Sequence, residues 1–467
     1  MKKLVVLGAV TMVLFTSTSF AGERLSLGYI YSASKSHTEI VEATNGGVNV
    51  VSPTTFDLKT NGTLEINPIS DEEFVQNMHE QGITVTPFLS NHWGRKRAEA
   101  ALNNPEKLIA QLVEAIELYN YDGINVDLEN LDTSYKDKLT NFMRLLREAL
   151  PEDKVVSIAV AANPDNLTTT WVAAYDYKAL AEYVDYMVVM AYDEHCYGGS
   201  AGPVASIDFV EKSLKGILEE VSRDKIVLGI PLYGRFWQEG KDVGGEAIIM
   251  GQMPRILTKY KLVPKYDVNT ETPHVTVKVK EGQKGPYVNG RYLEAGTYTI
   301  YYENENSIKA KLALANKYDI LGTGLWAIDN ESADLWSYYK ESLNATPYET
   351  ELEVKIREKL DYAQKFFVGQ TVEAAQIVDV VDYIKENVSL QRIENNKIQL
   401  VEATERIEEN LLEGMHPVKK IKHIKMKRFL VRMRNLKNDT KDMLLAQVES
   451  FKQVEFITGN RLVSMAA

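Results

Sequence analysis

The chain has 467 residues, 45% of them hydrophobic and 25% charged, which excludes a disordered or fibrous protein and leaves room for a large barrel plus a further domain. Its net charge of −12 is uneven: residues 1–350 hold 33 Lys and Arg against 47 Asp and Glu, whereas residues 351–467 hold 20 against 18. So acidic a front portion argues against nucleic acid as a partner, and a single cysteine, Cys196, excludes an internal disulfide framework.

In chain order, Met1-Lys2-Lys3 is a short basic start, followed by an apolar run from Leu4 to Phe15 and by small residues, Ser19 and Ala21, at the −3 and −1 positions of a cleavage site. This reads as a signal peptide over residues 1–21, and the expected destination is the cell wall or the exterior. No later run approaches the roughly 20 apolar residues that a spanning helix needs.

Eight short apolar runs follow, near residues 25–31, 48–52, 83–89, 123–128, 155–161, 185–192, 226–232 and 320–327. Most are nearly continuous in Val, Ile and Leu, as parallel strands buried on both faces are. Amphipathic helical patterns such as 105–119, 134–149 and 206–222 lie between them. Strand–helix alternation repeated eight times predicts an α/β fold, a (β/α)8 TIM barrel over residues 22–347.

The rhythm breaks between the seventh and eighth strands. Residues 273–302 alternate apolar and polar between Gly-rich turns, which predicts a small α+β insertion at about 238–302. From residue 350 Gly and Pro become scarce, and residues 350–467 read as a C-terminal helical domain. Within it, residues 419–437 hold nine Lys or Arg and no acid. A solvated helical face paired with nearby acids explains such a run; contact with an anionic wall polymer or a membrane surface is the alternative.

Chemistry concentrates at the fourth strand, Tyr121-Asp122-Gly123-Ile124-Asn125-Val126-Asp127-Leu128-Glu129-Asn130. Alternate side chains of a strand share a face, so Asn125, Asp127 and Glu129 point one way and Ile124, Val126 and Leu128 the other. In a barrel the polar set faces inward and climbs toward the C-terminal rim, where active sites lie. Burying such a column is costly without a purpose. Neighbouring carboxyls raise each other's hold on a proton, which is how a glutamic acid stays protonated as a general acid.

This segment resembles the D-x-x-D-x-D-x-E signature of glycoside hydrolase family 18, with Asp122, Asp127 and Glu129 matching and Asn125 in place of the middle Asp. Met190-Ala191-Tyr192-Asp193 is similar to the family's M-x-Y-D at strand six, and Gly229 to Arg235 to its strand-seven G-x-P-x-Y-G-R. Trp326 resembles the tryptophan that floors the sugar site, and the insertion resembles the family's inserted subdomain. The resemblance covers roughly residues 24–340.

The resemblance implies hydrolysis of a polymer of N-acetylated amino sugars by a retaining, substrate-assisted route, without a cofactor. Glu129 would protonate the glycosidic oxygen and the substrate's 2-acetamido oxygen would attack the anomeric carbon. Asp127 would orient the acetamido group, with Tyr192 on its carbonyl and Asp193 holding the distorted sugar. Asn125, Asp122, Met190 and Trp326 join this set as substrate-binding candidates.

Two features depart from the family pattern. Asn125 removes a charge beneath Asp127, and strand three ends in Pro87-Phe88-Leu89-Ser90-Asn91-His92-Trp93 rather than S-x-G-G. These features, with Glu194-His195 and Gly202 to Ser206, look most like the branch of spore-cortex and cell-wall N-acetylglucosaminidases. A bacterial wall glycan is therefore expected ahead of chitin. A lectin on the same barrel and an endoglycosidase of N-glycans are the alternatives.

Trp93 and Trp237 fall just past strand ends, where an aromatic face either stacks on a sugar or packs in the core. Trp171 and Trp336 read as packing residues. Arg235 suits a substrate carboxylate or, equally, a carboxylate of the site. His195 and Cys196 are adjacent and would point to opposite sides of an extended chain, which argues against a nucleophilic pair. No Cys/His cluster suggests a metal.

Overall fold

The computed structural model describes residues 23–31, 35–67, 72–345, 455–458 and 461–464. The expected signal peptide at 1–21 and the basic run at 419–437 lie outside the described residues.

Eight parallel strands close on themselves: Leu25–Ile30 (β1), Val50–Leu58 (β2), Phe88–Ser90 (β3), Gly123–Asp127 (β4), Val155–Ala161 (β5), Tyr186–Met190 (β6), Ile226–Pro231 (β7) and Gly322–Trp326 (β8). Each pairs with the next, and β8 returns to β1 with Leu25 beside Gly322 and Gly28 beside Leu325. This is the expected TIM barrel. A short strand, Thr84–Val85, precedes β3 and pairs with β2, and Pro87, which has no N–H to donate, lies in the break.

Helices fill the intervals. Leu108, Ile109, Leu112, Ala115 and Ile116 form the buried stripe of Pro105–Leu118; Leu139, Phe142, Met143 and Leu146 form that of Lys136–Ala149. Both follow the i, i+3, i+4, i+7 spacing of one helix face. In Ile207–Leu218 the side chain of Ser206 caps the start by accepting from the Phe209 N–H, and Val210, Leu214 and Ile217 face inward.

The strands sort their side chains by parity. Ile124, Val126 and Leu128 join the apolar shell between strands and helices. Leu27, Tyr29, Val50, Phe88, Tyr186, Val188 and Val227 fill the inside of the barrel. Asn125 lies among the inner set and is fully buried. At the start of β4, a Cβ on Gly123 would overlap the Val155 carbonyl oxygen, so only glycine lets β4 and β5 approach this closely.

The insertion begins earlier than residue 238. It is a five-stranded antiparallel sheet whose first strand, Tyr233–Gln238, leaves β7 after one residue. The order is 246–249, 233–238, 296–301, 272–279 and 265–267. The alternation read in the sequence is its two-sidedness: Val275, Val277 and Val279 are buried and the residues between them face out or partly out.

Most of the expected helical domain at 350–467 lies outside the described residues. Its described part departs from helix: Glu455–Thr458 and Arg461–Ser464 pair antiparallel, Glu455 beside Ser464 and Thr458 beside Arg461. Gly459-Asn460 between them is the turn composition that a tight hairpin calls for.

Candidate active site

The β4 column is built as its alternation dictates. Asn125 accepts from the Tyr29 hydroxyl (3.0 Å) and donates to Ser157 Oγ (2.8 Å), so its amide is fixed from both sides. Asp127, one step nearer the rim, is only 5% exposed, and its buried Oδ1 has no hydrogen-bond partner. Glu129 follows beyond the end of the strand.

Burial pushes both Asp127 and Glu129 above the usual carboxylate range. For Glu129 the negative charges of Asp127 and Asp193 add to the effect. The two carboxyls titrate as a pair, and the environment favours keeping a proton on Glu129 near neutral pH. That is the state a general acid requires.

β6 contributes from the adjoining wall. Tyr186 and Val188 face the interior, so Met190 and Tyr192 continue on the same face toward the rim. The Tyr192 hydroxyl is held far above its ordinary value, first by burial, then by the neighbouring acids and Tyr233, so it remains a neutral donor. Asp193 adopts a left-handed backbone, φ 61°, and accepts from Tyr233 Oη (2.6 Å) and Arg235.

Trp326 ends β8 and is joined to Ala327 by a cis peptide. Its ring lies 5.2 Å from that of Tyr29, 5.8 Å from Phe88 and 5.5 Å from Tyr31. Tyr31 is 51% exposed, which leaves an aromatic edge open at the rim beside Trp326. The alternation of Tyr29 and Tyr31 in Leu27-Gly28-Tyr29-Ile30-Tyr31 is the signal that marks Tyr31, and the sequence reading passed over it.

Left-handed backbone also occurs at His92 (47°), Trp93 (62°) and Asn130 (58°), all beyond the C-terminal ends of β3 and β4. Such conformations cost about 1–3 kcal/mol each outside glycine and cluster where a site over-determines them.

The other candidates divide. Trp93 is 51% exposed, with its ring edge-on to Trp171 at 4.9 Å, so a face is available at the rim. Trp237 is 8% exposed, donates its indole N–H to the Gly199 carbonyl (2.9 Å) and meets Tyr301 edge-on. That is a packing position, which leaves no ring face for a sugar. Arg235 is occupied by Asp193, the carboxylate-of-the-site alternative.

Asp122 requires a correction. It precedes β4, at the opposite end of the barrel from Glu129, where its carboxylate accepts from the Val85 N–H (2.7 Å) and meets His79 Nε2 (2.9 Å). A strand rises roughly 3.3 Å per residue, so Asp122 is too far down to meet a substrate at the rim. It ties the entry of β4 to its neighbours instead.

Comparison with known proteins agrees with this geometry. The family model "Glycosyl hydrolases family 18" matches residues 46–331. An uncharacterized glycosylase of Bacillus subtilis (strain 168) is 24% identical over 343 residues, 70% of this chain and 94% of the relative. The cortical fragment-lytic enzyme of the same organism is 23% identical over 62% of this chain, which spans just under two thirds (66%) of that relative's length. Among solved structures, the Bacillus cereus spore cortex-lytic enzyme SleL superposes with a TM-score of 0.60 at 21% identity, covering 70% of this chain and 76% of that one. A chitinase from Chromobacterium violaceum does so with a TM-score of 0.60 at 24% identity, covering 69% and 99%. A (β/α)8 barrel that sets a buried Asp127 and a half-buried Glu129 at the end of its fourth strand, with the family model matched across it, establishes the chain as a glycosidase belonging to glycoside hydrolase family 18.

Proposed function

We propose that the protein is an exported hydrolase of β-1,4-linked glycans containing N-acetylglucosamine, with bacterial peptidoglycan preferred over chitin and retention of anomeric configuration. The single observation that carries the reading is the buried, unpartnered Asp127 Oδ1 next to a glutamic acid that holds its proton. A buried acceptor left open by the protein calls for a donor from elsewhere, and the N–H of a 2-acetamido group supplies one.

The steps balance as follows. Glu129 gives its proton to the glycosidic oxygen as the bond from that oxygen to the anomeric carbon breaks. The acetamido carbonyl oxygen forms a new bond to that carbon, closing an oxazolinium ring. Asp127 accepts from the acetamido N–H and stabilises the positive charge, and Tyr192 donates toward the acetamido carbonyl. Water then attacks the anomeric carbon, Glu129 takes its proton, and the ring reopens. Retention follows from two displacements at one carbon, an exception within glycosidases to the use of two enzyme carboxylates.

Peptidoglycan is preferred because relatives named for cortical fragment lysis and for sporulation match over much of the barrel. Export rests on the composition of residues 1–21. The test is hydrolysis of purified peptidoglycan and of chitooligosaccharides by wild type and by Glu129→Gln. Release of reducing sugar from peptidoglycan by wild type alone is expected. Binding without release from either polymer would move the reading to a lectin, and cleavage confined to N-glycans would move it to an endoglycosidase.

A further inference from the structure

The acid lies where the barrel's own ladder has stopped. β3 and β4 pair through Phe88 with Asn125, Leu89 with Val126 and Ser90 with Asp127, and there the pairing ends. Beyond it the β3 chain turns away through left-handed His92 and Trp93. The main chain of Glu129 therefore has no neighbouring strand to hold it.

Asn91 fills that place. Its Oδ1 accepts from the Glu129 N–H at 2.9 Å, and its Nδ2 donates to the Glu129 carbonyl at 2.9 Å. The side chain is fully buried. A carboxamide has the same donor and acceptor as a peptide unit, so one Asn side chain reproduces a rung of a sheet. Two further contacts hold the flanking residues. The Tyr175 hydroxyl donates to the Leu128 carbonyl (3.0 Å), and Arg95 grips Asn130, Nε to its carbonyl (2.7 Å) and Nη2 to Oδ1 (3.0 Å).

We propose that Asn91 is a positioning residue for catalysis, whose carboxamide replaces the missing strand rung and fixes the reach and depth of the Glu129 carboxyl, with Arg95 as an outer brace on Asn130. The inference rests on Glu129 being the acid. It also gives a physical role to a residue that stands where the family's S-x-G-G is absent. A carboxyl displaced by about 1 Å loses on the order of 100-fold in rate, with binding little changed.

The titratable groups facing Glu129 are Asp127 from β4, Tyr175 after the 171–174 turn, and Tyr192 and Asp193 beyond β6. None is moved directly by removing the Asn91 side chain. A loosened Glu129 gains water, and its proton leaves at lower pH.

The experiment compares kcat, KM and the pH profile of kcat/KM on a soluble peptidoglycan fragment for wild type, Glu129→Gln, Asn91→Ala, Arg95→Ala and Thr44→Val. Thr44→Val is the folding control. It deletes a buried hydrogen bond to the Val41 carbonyl (2.7 Å) ahead of β2, at the opposite end of the barrel from Glu129. Asn91→Ala is expected to lose about 10- to 100-fold in kcat, to change KM by less than about 3-fold, and to move the alkaline limb to lower pH. Arg95→Ala, at an exposed site, should show the same changes more weakly. Wild-type kcat with an unmoved limb in Asn91→Ala overturns the proposal, as does the same rate loss in Thr44→Val at equal loss of stability. If Asn91→Ala does not fold, an unmoved limb in Arg95→Ala overturns it. Full activity in Glu129→Gln would instead defeat the reading of Glu129 as the acid, and that variant reports it separately.

Discussion

The guanidinium of Arg235 meets the carboxylate of Asp193 side-on: Nη2 lies 2.8 Å from both Oδ1 and Oδ2, and Nε lies 3.0 Å from Oδ1. Arg235 belongs to the first strand of the inserted sheet and Asp193 to the loop after β6, so the insertion reaches the C-terminal rim of the barrel through this pair. Nη1 of the same arginine donates to the Gly245 carbonyl (2.7 Å), which holds the guanidinium in place.

Removing the arginine leaves the Asp193 charge unneutralised beside Glu129, where it already raises the acid's hold on its proton. Arg235→Ala should therefore move the alkaline limb of kcat/KM to higher pH and lower kcat about 10-fold, because Asp193 also loses its orientation. Lysine restores charge without the fork and should recover the limb better than the rate. A pH–rate series on the three proteins checks both. A limb that moves downward contradicts the coupling.

Glu129 also has a signature in stability. Its proton is held more tightly folded than unfolded, so the stabilisation is fully present below the ordinary carboxyl range and is lost as pH rises through the folded value. Glu129→Gln removes that titration. Its melting temperature should match wild type near pH 4 and exceed it by ~1–3 °C at alkaline pH. Calorimetry across pH measures the difference. A difference constant with pH would mean that the carboxyl is not perturbed by folding.

Asp122 separates structure from catalysis. Asp122→Ala orphans the Val85 N–H and the His79 ring, at a cost of about 1–2 kcal/mol. The folded fraction should keep wild-type kcat and KM. A large fall in kcat or a large rise in KM at temperatures well below melting would return Asp122 to the substrate-binding set.

Asn125→Asp tests the absent charge. The new carboxyl would be sealed between Tyr29 and Ser157, beneath Asp127, and would be pushed upward by burial. Like charges so close should raise the Asp127 proton affinity further and move the acidic limb of the profile upward. Stability should fall by about 1–3 kcal/mol, with the loss growing as pH rises through the raised value. A denaturation series from pH 4 to 8 reads this directly.

Much of this was legible in the sequence. The barrel follows from near-continuous Val and Ile runs that can only be buried on both faces, and the column Asn125, Asp127, Glu129 from strict alternation with Ile124, Val126 and Leu128. What alternation cannot give is contact between distant segments. Nothing local in Asn91 tells that its amide pairs with residue 129, because the pairing depends on how β3 turns after Ser90. Arg235 read equally as a substrate anchor, and only the approach of Asp193 from another strand decides the matter. Asp122 enters the candidate set only through a motif whose first position lies outside the rim, and counting residues back along β4 puts it at the far end. The paired strands 455–458 and 461–464 show the reverse case: Phe456-Ile457-Thr458 and Leu462-Val463 carry strand signals that a helical reading of 350–467 as a whole passes over.

The central claim is that the substrate's own acetamido group does the first displacement, with Asp127 as its partner. The direct measurement is the initial rate and the anomer first released, by proton NMR, on N-acetylglucosamine oligomers and on the same oligomers with the acetyl groups removed. The account predicts release of the β anomer from the acetylated oligomers and a rate at least ~1,000-fold lower on the deacetylated ones. Comparable rates on both, or first release of the α anomer, would contradict it.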